Sequence, residues 1–153
     1  MTIKRTDSTD PDFVTLVREL DQFLAVTDGD EHAFYAQYNK IDLIRYAIVI
    51  CNGDEPVGCG AIKTYAPGTM EVKRMFTRDT YRGKGIAGMI LNELETWAAE
   101  LDSTRCILET GLRQTAAIRL YEKSGYARIE NYGQYAGVAN SVCFGKNLVL
   151  TQK

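Results

Sequence analysis

A chain of 153 residues is long enough for one domain with its own hydrophobic core. Its 45% hydrophobic and 25% charged residues are ordinary globular proportions and exclude a disordered chain. A formal net charge of −2 lacks the basic excess of a nucleic-acid binder, and no apolar run approaches the ~20 residues that span a bilayer.

Three prolines and no Ser/Gly-rich tract leave no linker, so residues 1–153 are expected to form a single domain. The segment from Met1 to Asp7 lacks the apolar core of a signal peptide. A soluble, cytoplasmic protein with no membrane or nucleic-acid partner is the simplest expectation. Cys51, Cys59, Cys106 and Cys143 form no CxxC pair and sit in apolar settings, which predicts buried free thiols, no metal site and no disulfide. His32 lies among polar residues and reads as surface.

In chain order, Asp10-Pro11 is a helix-start signal, and Phe13, Leu16, Val17, Leu20, Phe23 and Leu24 recur at helical spacing, predicting a helix over 11–25. Asp30 caps a second, shorter predicted helix with Ala33, Phe34 and Tyr38. The apolar run 46–51, then Asn52-Gly53, then 57–65 predicts a hairpin. Pro67-Gly68 marks a turn into a third strand over 70–77, with Val72 and Met75 apolar against charged Glu71 and Lys73. The clearest helix is 86–101, where Ile86, Ile90, Leu91, Leu94, Trp97, Ala98 and Leu101 form one stripe. A short buried strand at 106–108 follows, then a helix over 115–124 closed by Gly125, then strands over 126–132 and 141–148. The strand–helix–strand in the middle needs a crossover, so its two strands are expected parallel, with antiparallel hairpins on either side. The predicted fold class is α/β (α+β): a twisted mixed sheet flanked by helices.

The chemistry concentrates in Tyr81-Arg82-Gly83-Lys84-Gly85-Ile86-Ala87-Gly88, between a strand and a long helix. Glycines allow close backbone approach, the first helical N–H groups lack partners, and Arg82 and Lys84 add charge, a combination suited to a phosphate or pyrophosphate. A Walker loop fails because no Ser or Thr follows Gly83-Lys84. Gly83, Gly85 and Gly88 match GxGxxG literally, and Glu109 stands where a ribose-binding acid would. In a dinucleotide fold, however, that loop follows directly on a buried apolar strand. Here Thr77 to Arg82 intervene, after a strand charged at alternate positions.

Arg82-x-x-Gly85-x-Ala87 instead resembles the Q/R-x-x-G-x-G/A motif of the GNAT acetyltransferases. Glu71 to Phe76 resembles the strand leading into that loop, and Leu108-Glu109-Thr110-Gly111 the strand after the helix. Gln114-x-x-Ala117-Ile118-x-Leu120-Tyr121-Glu122-Lys123-x-Gly125-Tyr126 is similar to another recurring segment of the family. The resemblance runs from about Tyr46 to Leu148, while the first 45 residues match only as generic helices.

The resemblance implies acetyl-CoA as co-substrate and direct attack by an amine, with no covalent enzyme intermediate. It places Met75, Phe76 and Thr77 beside the pantetheine arm, where a backbone N–H would bond the thioester carbonyl. It places Arg82, Gly83, Lys84, Gly85, Ile86 and Ala87 on the pyrophosphate, and the Gln114 amide on the cofactor. Tyr121 reads by spacing alone as core; with its flanking segment it reads as the acid that protonates the departing thiolate. Glu71 has two even readings, a general base for the amine or a strand glutamate paired with Lys73 or Arg74. Glu109 and water are the other candidate bases. The acceptor, a small-molecule amine or a peptide amine, is expected near Tyr38, Arg45, Tyr132 and Tyr135. Homodimers are common in the family. A non-catalytic acyl-CoA sensor of the same fold is the alternative reading.

Overall fold

The computed structural model describes residues 1–28 and 43–148. Seven strands make one mixed sheet: β1 (Thr2–Thr6), β2 (Tyr46–Asn52), β3 (Glu55–Ala66), β4 (Thr69–Thr77), β5 (Arg105–Gly111), β6 (Ala127–Ile129) and β7 (Ser141–Asn147). Their spatial order is β1-β2-β3-β4-β5-β7-β6. Among the described residues only β4 and β5 are parallel; the other neighbours run antiparallel. Three helices cover the sheet among the described residues: α1 (Pro11–Asp28), α2 (Ile86–Glu100) and α3 (Thr115–Lys123). The predicted helix carrying Ala33, Phe34 and Tyr38 lies outside the described residues, as does His32.

The apolar run in β2 exists because both faces of that strand are covered. Ala47, Val49 and Cys51 pack with Phe13, Leu16 and Val17 of α1. Ile48 and Ile50 point the other way, into a core with Ile86, Ile90, Leu91, Leu94 and Ala98 of α2. Tyr121 of α3 joins that second core, 5.9 Å from the Tyr126 ring and 6.2 Å from Phe144. All four cysteines are buried free thiols.

Two sequence readings need adjustment. Thr2–Thr6 forms an edge strand that its polar sequence does not announce. It pairs with β2, and Arg5 clamps it to α2 through Glu93 at 2.8 Å, Glu100 at 2.7 Å and the Trp97 ring at 4.8 Å. The strand expected over 126–132 shrinks to Ala127–Ile129. Beyond it, the Asn131 amide donates to the Val138 and Ser141 carbonyls at 3.0 and 3.1 Å, holding a loop in place of a ladder.

The feature that shapes the site is the parting of β4 and β5. Their pairing runs only from Thr69 to Glu71 against Arg105 to Ile107. Both strands continue, β4 to Thr77 and β5 to Gly111, while β4 stays paired with β3 and β5 with β7. A bulge helps turn β4 away. The β3–β4 register shifts between Cys59 and Ala61, so Gly60 faces Arg74 and Met75 together, and Arg74 has φ +60°. Gly60 itself permits the close approach of α2. A Cβ there would stand 2.6 Å from Met75 Sδ, 2.7 Å from Ile90 Cγ2 and 3.0 Å from Leu94 Cδ1. Gly60→Ala is therefore expected to destabilise the fold by about 1–3 kcal/mol through overpacking. Urea unfolding measures this, and an unchanged midpoint would mean that α2 yields freely.

Candidate functional site

The parted strands open a cavity of about 420 Å³, within the range of small-molecule sites. Its walls come from the second half of β4, the end of β5, the loop Tyr81 to Gly85, the first turn of α2, the start of α3 and the inner face of α1. Glu71, Met75, Phe76, Thr77, Arg82, Gly83, Gly85, Ile86, Ala87, Gln114 and Tyr121 all line it. These residues were singled out from sequence across some fifty positions, and the fold brings them around one space. Lys84 is outside the lining; its ammonium stands 5.2 Å from the Tyr81 ring centre.

At one end is the glycine loop. Gly83 and Gly85 take φ +77° and +79°, conformations that cost a side-chain-bearing residue roughly 1–2 kcal/mol. Gly85 is the N-cap of α2 and has no side chain with which to cap it. The first helical bond is Met89 N–H to Gly85 O at 3.1 Å, so the N–H groups of Ile86, Ala87 and Gly88 have no intrahelical acceptor. A Cβ built on Gly83, Gly85 or Gly88 meets no atom within 4 Å. Space and unused donors thus coincide at the positive end of a helix, which suits an anion. Arg82 lies over the Phe23 ring of α1 at 5.0 Å.

In the middle, the β5-facing edge of β4 has no strand partner beyond Glu71. Its backbone groups from Val72 onward are open to a ligand lying in the split. Across the gap, Gln114 Nε2 is buried and has no hydrogen-bond partner among the described residues, a cost of about 1–3 kcal/mol that a bound acceptor would remove. Residues and space therefore fit a ligand with a phosphate-bearing end and an amide-bearing arm. Tyr121 is 5% exposed. Burial, with a smaller contribution from the Glu109 charge, pushes its phenol well above the ordinary tyrosine range, so the proton stays on the oxygen.

At the far end stands a layer of charges and tyrosines. Glu71 Oε2 accepts from the Tyr132 hydroxyl at 2.6 Å, and Glu71 Oε1 is 3.8 Å from Lys73 Nζ. Burial, and then the Glu71 charge, keep the Tyr132 phenol protonated and donating. Tyr132 is held edge-on by Tyr65 at 5.1 Å and Tyr135 at 5.8 Å. Glu109 accepts from Ser141 Oγ at 2.7 Å. Arg45, expected near the acceptor, is not part of the lining.

The roof of the cavity is α1. Leu20, Phe23 and Leu24 of α1 line the cavity; their spacing announced an apolar helix face but not what lay beneath it. Three arginines tie α1 down. Arg78 grips Glu19 at 2.6 and 2.9 Å, Arg74 Nη1 reaches Asp21 at 3.2 Å, and Arg113 Nη1 donates to the Thr27 carbonyl at 3.1 Å.

A seven-stranded mixed sheet that splits between two parallel strands over a helix N-terminus is the architecture of an acyltransferase. A sequence profile described as the acetyltransferase (GNAT) family matches residues 13–126, and this chain belongs to that family. It is 35% identical over 138 residues to the IAA acetyltransferase of Azospirillum brasilense, covering 88% of this chain and 90% of that one. A Klebsiella pneumoniae protein, provisionally described as an acyl-CoA N-acyltransferase, superposes with a TM-score of 0.81 at 32% identity over 97% of both chains. An aminoglycoside 6'-N-acetyltransferase solved with coenzyme A shares the fold at a TM-score of 0.65 and 19% identity over the full length of both chains. The chain is an acyltransferase enzyme, and the members of its family act on amine acceptors.

Tyr132→Phe removes the hydroxyl that satisfies Glu71 Oε2. Loss of a hydrogen bond to a buried carboxylate is expected to lower stability by about 1–3 kcal/mol, read as a lower denaturation midpoint with unchanged slope. A midpoint equal to wild type would show that the bond contributes nothing in solution.

Proposed function

We propose that residues 1–153 act as one catalytic domain that transfers an acetyl group from acetyl-CoA to the amine of a small-molecule acceptor. The observation that carries this reading is the continuity of the cavity: the glycine loop, the open edge of β4, Tyr121 and Glu71 all line it. Acetyl-CoA supplies an activated thioester carbonyl and a good leaving group. The chain's own groups do the rest.

The N–H groups of Ile86, Ala87 and Gly88 donate to the pyrophosphate, with Arg82 beside them. The Gln114 amide donates to the pantetheine arm. A backbone N–H of the Met75–Thr77 stretch donates to the thioester oxygen as charge develops on it, which is the interaction with most effect on the barrier. The acceptor amine loses one proton to become nucleophilic. Its nitrogen–carbonyl bond then forms while the carbon–sulfur bond breaks. Glu71 accepts, directly or through water, the proton the ammonium gives up; Tyr121 donates its own to the departing sulfur, and the second proton, lost by the newly acylated nitrogen, replaces it. Restoring the tyrosine proton leaves free coenzyme A, the N-acetyl product and one proton in excess.

Support for Tyr121 as the acid comes from its place in the wall and from its burial, which keeps the phenol protonated and so able to donate at neutral pH. Support for Glu71 over Glu109 comes from its place where the strands part, one oxygen fixed by Tyr132 and the other beside Lys73. The ion pair with Lys73 does not compete with the base role; it belongs to the same constellation.

Tyr121→Phe is expected to lower kcat by roughly 10²-fold or more with acetyl-CoA affinity retained. Wild-type turnover should show no fall from tyrosine ionisation up to about pH 10, the ordinary value that burial moves upward. Acetyl-CoA at 100 times its dissociation constant should stabilise the fold by about 2.7 kcal/mol, whereas NAD should not. Stabilisation by NAD alone, or full activity in Tyr121→Phe, would overturn this reading in its cofactor and in its acid respectively.

A further inference from the structure

The glycine loop is built from residues that hold no shape by themselves. Arg82, Gly83, Lys84 and Gly85 are all exposed, and the two glycines sit in the left-handed region that their freedom permits. A loop of this kind that has to be ordered by its ligand loses affinity to the entropy of ordering. On its C-terminal side the loop is held by α2. On its N-terminal side it follows a short 3-10 turn, Asp79–Tyr81, so its shape depends on what fixes that turn.

What fixes the turn is the β2–β3 hairpin. The Arg78 N–H donates to the Val57 carbonyl of β3 at 2.9 Å, the Tyr81 N–H to the Arg78 carbonyl at 2.9 Å and the Arg82 N–H to the Asp79 carbonyl at 3.2 Å. The side chains then converge on one carboxylate. The Tyr81 hydroxyl donates to Glu55 Oε1 at 2.9 Å, and Arg78 Nη1 donates to Glu55 Oε2 at 3.4 Å. Asn52 Nδ2 donates to the Tyr81 oxygen at 3.2 Å, so that hydroxyl serves as both donor and acceptor. Asn52 ends β2 and Glu55 begins β3, and the two flank the hairpin turn. Neither lines the cavity, whereas Tyr81 does.

By charge alone Glu55 is out of place, because a carboxylate beside a loop that takes a phosphate opposes the phosphate. By geometry it has a use: one group on the hairpin takes hold of the residue that precedes the turn and of the residue that ends it. Resting on the acetyl-transfer reading above, we propose that Glu55, assisted by Asn52, is a positioning residue for acetyl-CoA. Acting through Tyr81 and Arg78, it holds the glycine loop in the shape that receives the pyrophosphate, so the loop is ordered on folding and not on binding. Glu55 touches no part of the ligand. Its side chain is 51% exposed, and Arg78 keeps both of its bonds to Glu19 without it, so its loss opens no hole in the core and does not release α1.

The test titrates acetyl-CoA into the whole chain by calorimetry, beside the melting temperature of the ligand-free protein. Glu55→Ala should weaken acetyl-CoA binding by roughly 3–10-fold, the range of one net hydrogen bond, with the melting temperature nearly unchanged. Charge alone predicts the opposite sign, tighter binding once the carboxylate is gone. Tyr81→Phe keeps the ring in the wall, removes only the hydroxyl, and should weaken binding in the same direction. The double variant should bind no more weakly than Glu55→Ala, because both changes cut one tether. Glu55→Gln retains an oxygen to accept from Tyr81 and should keep most of the affinity. Unchanged or tighter binding in Glu55→Ala, an equal loss in Glu55→Gln, or additive losses in the double variant overturn the proposal. No binding of acetyl-CoA by the wild-type chain would instead overturn the acetyl-transfer reading, and this proposal with it.

Discussion

The whole site depends on two parallel strands that stop pairing. Backbone hydrogen bonds are obligatory in a buried sheet, so strands do not part without compensation. Here β4 keeps its ladder to β3, β5 keeps its ladder to β7, and only the edges facing each other are released. The bulge opposite Gly60 bends β4 at the point where the edges separate, and the absent Cβ of Gly60 lets α2 lie close enough to place its N-terminus at the mouth of the gap. The gap is therefore not a packing defect. It is a row of backbone donors and acceptors, with a helix start at one end and a charged layer at the other.

Much of this architecture was legible in the residues. The stripe along 86–101 announced α2, and the apolar run 46–51 with Asn52-Gly53 announced the hairpin of β2 and β3. The glycine loop stood out because its residues make poor sense unless a backbone must approach a ligand. What was not legible has identifiable causes. β1 carries four exposed positions in five, so hydrophobic alternation had nothing to report; it is held by β2 and by Arg5. The bulge lies in φ of Arg74, a residue whose type does not favour that conformation. Lys84, chosen for its charge within the motif, turns out to the Tyr81 ring, because the two left-handed glycines on either side of it reverse the chain there.

The electrostatics show a consistent division. Exposed pairs such as Lys4 with Asp12 contribute little, being screened by water. The arginines that matter structurally bridge elements distant in sequence. Arg78 joins α1 to β3 through Glu19 and Glu55, and Arg74 joins α1 to the bulge through Asp21. Both leave from the split strand or the turn just after it. The helix that roofs the cavity is thus fastened to the strand that lines it, so the roof and the open edge of β4 move together.

The four cysteines, set aside as packing, carry a practical corollary. Cys51, Cys59, Cys106 and Cys143 are all buried, and desolvation holds each thiol above its ordinary ionisation range. A thiolate, not a thiol, is the reactive species. The folded enzyme is therefore nearly silent toward electrophilic thiol reagents. Under the acetyl-transfer reading every turnover would liberate a small, solvent-borne thiol against that silent background, so the protein's own sulfur chemistry would keep a colour reaction for that product free of interference. The same burial makes the onset of labelling a sensor of unfolding, because a cysteine becomes reactive when the core around it opens.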